Sequence, residues 1–233
     1  MNTPEIEITV DTTVDAAWQA LRDTETLRRW HGWDTDEITE EIQSIYFTDV
    51  TVDDQRRVLV ANGGDRFEVH PQPDGVRVTL TRAPLSGNPE WDAYYDDITE
   101  GWTSFLQQLR FILSHHTSGT RRTLFFSNQH IHSSTVVDRL GLTGVAATPA
   151  GSPYTATVVG GRTTGNVWFR STHQLGLTID AWGPGLLVLA GNAPSQTNPA
   201  GSATAILNTY NLDDTAFGQV SEQWSAWWAK HTH

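Results

Sequence analysis

Glu5-Ile6-Glu7-Ile8-Thr9-Val10 alternates polar and apolar residues with a period of two, the pattern of a half-buried strand. Thr12 and Thr13 follow where a helix cap belongs. Beyond them Val14, Ala17, Trp18 and Leu21 recur at the spacing of one helix face. A second short helix is predicted from Thr24, with Leu27 and Trp30 on one side and an end near His31-Gly32. The next stretch is punctuated into short strands at 44–47, 56–61, 65–70 and 76–82. Asn62-Gly63-Gly64-Asp65 and Asp74-Gly75 read as hairpin turns, because Gly and Asn tolerate positive φ. After a Pro- and Gly-containing loop at 83–89 the period changes to that of a long helix. Its apolar stripe is Ile98, Trp102, Phe105, Leu106, Leu109, Ile112 and Leu113, and Asp97 with Glu100 has the spacing of a capping box.

The remainder repeats this ending. A strand is predicted at 123–127, a short helix at 134–140 stopped by Gly141, and a Gly/Thr/Ala/Pro-rich stretch at 141–153. Strands follow at 154–159, 167–172, 176–180, 186–190 and 202–210. Asp213 opens a last helix carrying Phe217, Val220, Trp224, Trp227 and Trp228. A shift of 115 residues takes Trp102 to Phe217, Phe105 to Val220, Leu109 to Trp224 and Ile112 to Trp227. The expected fold class is therefore α+β. It comprises tandem modules at 1–118 and 119–233, each an antiparallel sheet closed by a long C-terminal helix, with the second copy degenerate.

Charge supports that division. Residues 1–118 hold 9 Arg against 22 Asp and Glu, a net charge of −13, whereas the rest of the chain is +1. The overall charge of −12 argues against a phosphate-binding basic surface, so nucleic acid is not an expected partner. An acidic first half leaves a protein partner as an alternative. Cysteine is absent, which removes disulfides, thiolate nucleophiles and cysteine zinc sites together. The opening residues show neither a basic nor an apolar leader segment, and no apolar run approaches the roughly 20 residues needed to span a bilayer. A cytoplasmic protein is expected.

Three segments of the first half carry a family resemblance. Ile6-Glu-Ile-Thr-Val-Asp11 runs into Val14-Asp-Ala-Ala-Trp-Gln-Ala-Leu21, then comes Leu27-Arg-Arg-Trp30, and later Glu100-Gly-Trp-Thr-Ser-Phe-Leu-Gln-Gln-Leu-Arg110. In order and spacing they resemble the START/SRPBCC superfamily, and within it the branch named after the activator of the 90-kDa heat-shock protein ATPase. The resemblance covers about the first 115 residues. It implies a helix-grip fold, a curved antiparallel sheet gripping a long helix with a cavity between them. A small apolar molecule is the implied partner. The superfamily also contains cyclases and hydrolases, so fold alone does not choose between binding and catalysis.

Candidate walls for that cavity are Trp102, Phe105, Leu106 and Leu109 on the long helix. Phe67, Val69, Val78 and Leu80 lie on the strands, and Trp30 and Trp33 stand at the mouth. Gly101 is expected to let the sheet or a ligand approach the helix backbone. For an enzyme, Glu41 or His31 would be the base. Other carboxylates are explained without chemistry: Asp96, Asp97 and Glu100 stabilise a helix N-terminus, and Glu37 and Glu40 form a solvated face. On a strand His130 and His132 would share a face, and His115-His116 and His231-Thr-His233 are further pairs. No third metal ligand is recognisable. Gly63-Gly64 and Gly160-Gly161 are turns without a following Gly-Lys-Ser/Thr, and no Gly-x-Ser-x-Gly occurs. No cofactor, metal or catalytic residue is assigned.

Overall fold

Period-two alternation at the amino end forms β1 (Glu5–Val10), and Thr13 caps α1 (Val14–Ala20) by accepting the Ala16 N–H at 3.1 Å. The architecture is that of a computed structural model, which describes residues 3–115, 119–191 and 201–232. The chain divides into two units, Met1–Thr117 and Ser118–His233. The expected boundary residue Ser118 lies outside the described residues.

In the first unit α2 (Thr24–Trp30) and α3 (Ile38–Phe47) precede β2 (Thr51–Asp53), β3 (Val58–Val60), β4 (Arg66–Gln72) and β5 (Gly75–Thr81). A short α4 (Pro89–Asp92) then leads to the long α5 (Tyr95–His115). The sheet order is β1-β5-β4-β3-β2, antiparallel throughout. Register places Ile8 and Val69 on either side of Val78, and Ile6 and Phe67 on either side of Leu80, giving one apolar face. Gly75 is obligatory where the β4–β5 turn meets β1. Its φ is +126°, and a Cβ there would sit 2.2 Å from the Val10 carbonyl oxygen.

Two local expectations change. Residues 44–47 end helix α3 and are not a strand. Ile38, Ile42 and Tyr46 recur every four residues and are all buried, and this longer period outweighs a short run of β-forming residues. Glu40 and Glu41 occupy its first turn. Helix α5 begins at Tyr95, so Asp96 and Asp97 lie inside its first turn, and Asp97 is not the cap.

The second unit contains β6 (Arg122–Asn128), α6 (Ser133–Arg139), α7 (Thr143–Ala146), β7 (Pro153–Val158) and β8 (Gly161–Arg170). It continues through β9 (Gln174–Ile179), β10 (Gly185–Ala190) and β11 (Ala203–Thr209) to α8 (Asp214–His231). Its sheet order is β6-β11-β10-β9-β8-β7. In both units the first strand pairs with the last, the remaining strands meander outward, and a long helix follows. The fold is therefore α+β with tandem helix-grip modules. Asp213 caps α8 by accepting the Ala216 N–H at 2.8 Å. Strand β8 starts before the expected 167 because its polar first half pairs with β7, and a bulge between Val167 and Phe169 breaks the alternation. Among the described residues no helix is long and apolar enough to cross a membrane.

Candidate functional site

Among the described residues, one place in each unit gathers chemistry. In the first, Leu27 and Trp30 are the buried residues of α2, and the Trp30 indole N–H donates to the Ala20 carbonyl at 2.8 Å. Helix α5 fixes the end of α2 through Gln108, whose amide donates to the carbonyls of Trp30 at 2.5 Å and Gly32 at 3.3 Å. His31 is thereby held in the interior. Its ring lies 5.8 Å from Trp30, 5.1 Å from Tyr46, 5.4 Å from Trp102 and 5.1 Å from Phe105. Phe67 closes the cluster 5.4 Å from Trp102, and Trp33 lies 4.9 Å from Phe105 at the outside. These separations are those of favourable edge and tilted aromatic pairs.

Of the ten wall residues expected from the sequence, Trp30, Phe67, Val69, Val78, Leu80, Trp102, Leu106 and Leu109 are buried; Trp33 and Phe105 are half-buried. The aromatic members pack on one another around His31. Gly101 makes no close approach, since a Cβ there would meet only the Phe105 ring at 4.0 Å.

His31 is polar at both ring nitrogens. Nδ1 lies 2.9 Å from the Tyr46 hydroxyl and Nε2 lies 3.1 Å from Glu41 Oε1. The tautomer protonated at Nε2 satisfies both contacts: Nε2–H donates to the carboxylate, and Nδ1 accepts from the hydroxyl. Burial, followed by the negative charges of Glu41 and Asp65, pushes the Tyr46 hydroxyl well above its ordinary pKa, so it remains a donor. Glu41 is 45% exposed, which puts one end of this chain of hydrogen bonds at the surface. His31 and Glu41 were each legible as a candidate base, though not as a pair. Tyr46 was missed because its segment read as a strand, and the four-residue spacing from Ile38 through Ile42 was the signal that places it.

The second unit contains an open cleft of about 230 Å³. One wall is the hairpin joining β7 to β8, another the tight turn Asp180–Trp182, and a third the amino-terminal half of α8. Trp182 and Trp224 form its aromatic floor, their rings 6.1 Å apart. Val158, Ile179 and Val220 add apolar walls; Arg162, Thr163, Gln219 and Gln223 supply polar groups. The sequence offered little warning of this cleft. Gln219 and Gln223, four apart on one helix face, were the available signal.

The histidine pairs sit elsewhere. His130 and His132 are in the turn after β6, not on a strand, because His132 caps α6. Its Nδ1 accepts the Ser134 N–H at 3.2 Å. His115 stacks on Phe111 and His231 on Trp227, while His116 and His233 lie outside the described residues. Among the described residues no three His, Cys, Asp or Glu are grouped to hold a metal ion.

No protein-family model matches the chain, and no curated protein matches it. Solved structures with some likeness include the di-domain ARO/CYC BexL from the BE-7585A biosynthetic pathway. It is 11% identical with a TM-score of 0.37, covering 100% of this chain and 99% of that one. DynU16, a putative protein in the dynemicin biosynthetic locus, is 14% identical with a TM-score of 0.35, covering 98% and 95%. The di-domain ARO/CYC StfQ from the steffimycin biosynthetic pathway is 10% identical with a TM-score of 0.37, covering 97% and 91%. Likenesses this distant leave the functional reading to the sites themselves.

Proposed function

We propose that this protein binds a small, largely apolar molecule between the sheet and the long helix of a helix-grip unit, and that the cleft beneath α8 receives it. The cleft itself is the observation that carries this reading. A dry cavity of about 150 Å³ lined by aliphatic and aromatic side chains accepts benzene. A space of about 230 Å³ over Trp182 and Trp224 is thus sized for one substituted ring or two fused rings. Apolar walls supply the affinity, and the Gln219 and Gln223 amides orient a polar edge. Burial of the ligand's apolar surface favours binding, and the cost of association offsets part of that gain, so weak binding is expected. This reading is preferred to the protein-docking role that the acidic first half leaves open, because a ring-sized cleft suits a small molecule.

The test uses 2-naphthol, a fluorescent two-ring probe with one hydroxyl. Saturable binding is expected for the parent protein, and Val220→Trp, which fills the cleft, is expected to weaken it at least tenfold. Binding unchanged in that variant would place the ligand elsewhere.

A second reading rests on the His31 contacts. An acid–base activity would use His31 or Glu41, with Tyr46 as their partner. The ten wall residues Trp30, Trp33, Phe67, Val69, Val78, Leu80, Trp102, Phe105, Leu106 and Leu109 would then be the substrate's surroundings. A ligand there perturbs the Trp30 and Trp102 indoles, which separates this reading from the first.

A further inference from the structure

The hairpin at the rim of the cleft has the wrong residue for its shape. Val158 pairs with Gly161, leaving the two-residue loop Val159-Gly160. Both loop residues have positive φ, +50° at Val159 and +78° at Gly160. A two-residue hairpin loop of this kind favours Asn, Asp or Gly at its first position. A β-branched residue there is a genuine outlier, and such strain persists only when the surroundings impose it. Gly160 conforms to the rule; Val159 does not. Val159 is one of the residues lining the cleft, with Leu212 and Val220, and it packs half-buried against the unit's apolar core.

We infer that Val159 is a specificity-determining residue, held in an unfavourable backbone conformation because its isopropyl group forms one wall of the ligand site. The inference rests on the proposed binding function and adds to it a residue and a trade-off. Folding alone would be served better by Asn at this position, whereas ligand contact is served by Val. The two properties therefore move in opposite directions on substitution.

Two variants of the full chain test this against 2-naphthol. Val159→Asn, which suits the turn, is expected to raise the melting temperature by about 2 to 4 °C. The same change is expected to weaken binding at least threefold, since loss of even small apolar groups from a binding wall is felt in affinity. Val159→Ala keeps a Cβ at positive φ, so it should weaken binding similarly without raising the melting temperature. Parent-like affinity in both variants would overturn the inference while leaving the cleft as the ligand site. A lowered melting temperature in Val159→Asn would also overturn it, because packing alone would then account for the valine. Absence of binding by the parent protein would remove the functional reading and this inference with it.

Discussion

Replacing Trp102 with alanine is expected to destabilise the first unit by about 3 to 5 kcal/mol, the range for emptying a large aromatic site in a packed core. Trp102 is only 5% exposed, and its ring lies within 5.6 Å of the rings of His31, Phe67 and Phe105. None of these neighbours is positioned to collapse into the space. His31 is tied to Tyr46 and Glu41, and Phe67 is fixed in the centre of β4 opposite Leu80. Thermal unfolding checks the prediction, with a melting temperature lowered by on the order of 10 °C. A loss of less than 1 kcal/mol, together with altered binding of an apolar probe, would show instead that Trp102 lines a pre-existing cavity.

The second large effect concerns the joint between β5 and α5. Arg82 Nε donates to both carboxylate oxygens of Asp65 at 2.9 and 3.1 Å, and Arg82 Nη1 donates to the Thr99 hydroxyl at 2.7 Å. The Tyr95 hydroxyl donates to the Ala83 carbonyl at 2.6 Å, and the Arg82 guanidinium lies 4.8 Å from the Tyr95 ring. The first turns of α5 are thereby fastened to the sheet where β5 ends and β4 begins. Arg82→Met leaves the Asp65 carboxylate without its ion partner. The side chains are only 7% and 13% exposed, so this is a buried pair, for which losing one partner costs about 3 to 5 kcal/mol. The lower end is expected because the Ala83 N–H still donates to Asp65 at 2.8 Å. Adding Asp65→Leu should recover much of the loss, as removing both charges removes the stranded one. A cost below 1 kcal/mol for the single variant would class the pair with exposed ones.

The sequence exposed most of the fold because its main signals were local. Strict alternation fixed β1, side-chain caps at Thr13 and Asp213 marked helix starts, and glycines at 63, 64 and 75 marked hairpins. Segments were misread where two periods compete or where a polar strand looks like a loop. Ile45-Tyr46-Phe47 satisfies strand preferences locally but belongs to the helical series of Ile38 and Ile42. The first half of β8 looks like a loop because it is polar, and only its pairing with β7 makes it a strand. Site legibility follows the same division. The apolar stripe of α5 was visible, and His31 and Glu41 could be singled out by residue type. That these rings would gather around His31 depends on the register of β4 and β5 and on side-chain packing. The cleft under α8 depends on three segments distant in sequence, which no periodicity brings together.

The most direct measurement of where a ligand resides is an NMR titration of the tryptophan indole N–H signals, since the chain has 10 Trp distributed over both units. Single Trp→Phe variants assign the resonances. On addition of 2-naphthol, the signals of Trp182 and Trp224 are expected to shift in a saturable way, while those of Trp30 and Trp102 stay in place. Shifts at Trp30 and Trp102 with Trp182 and Trp224 unmoved would contradict the assignment of the ligand site to the cleft of the second unit.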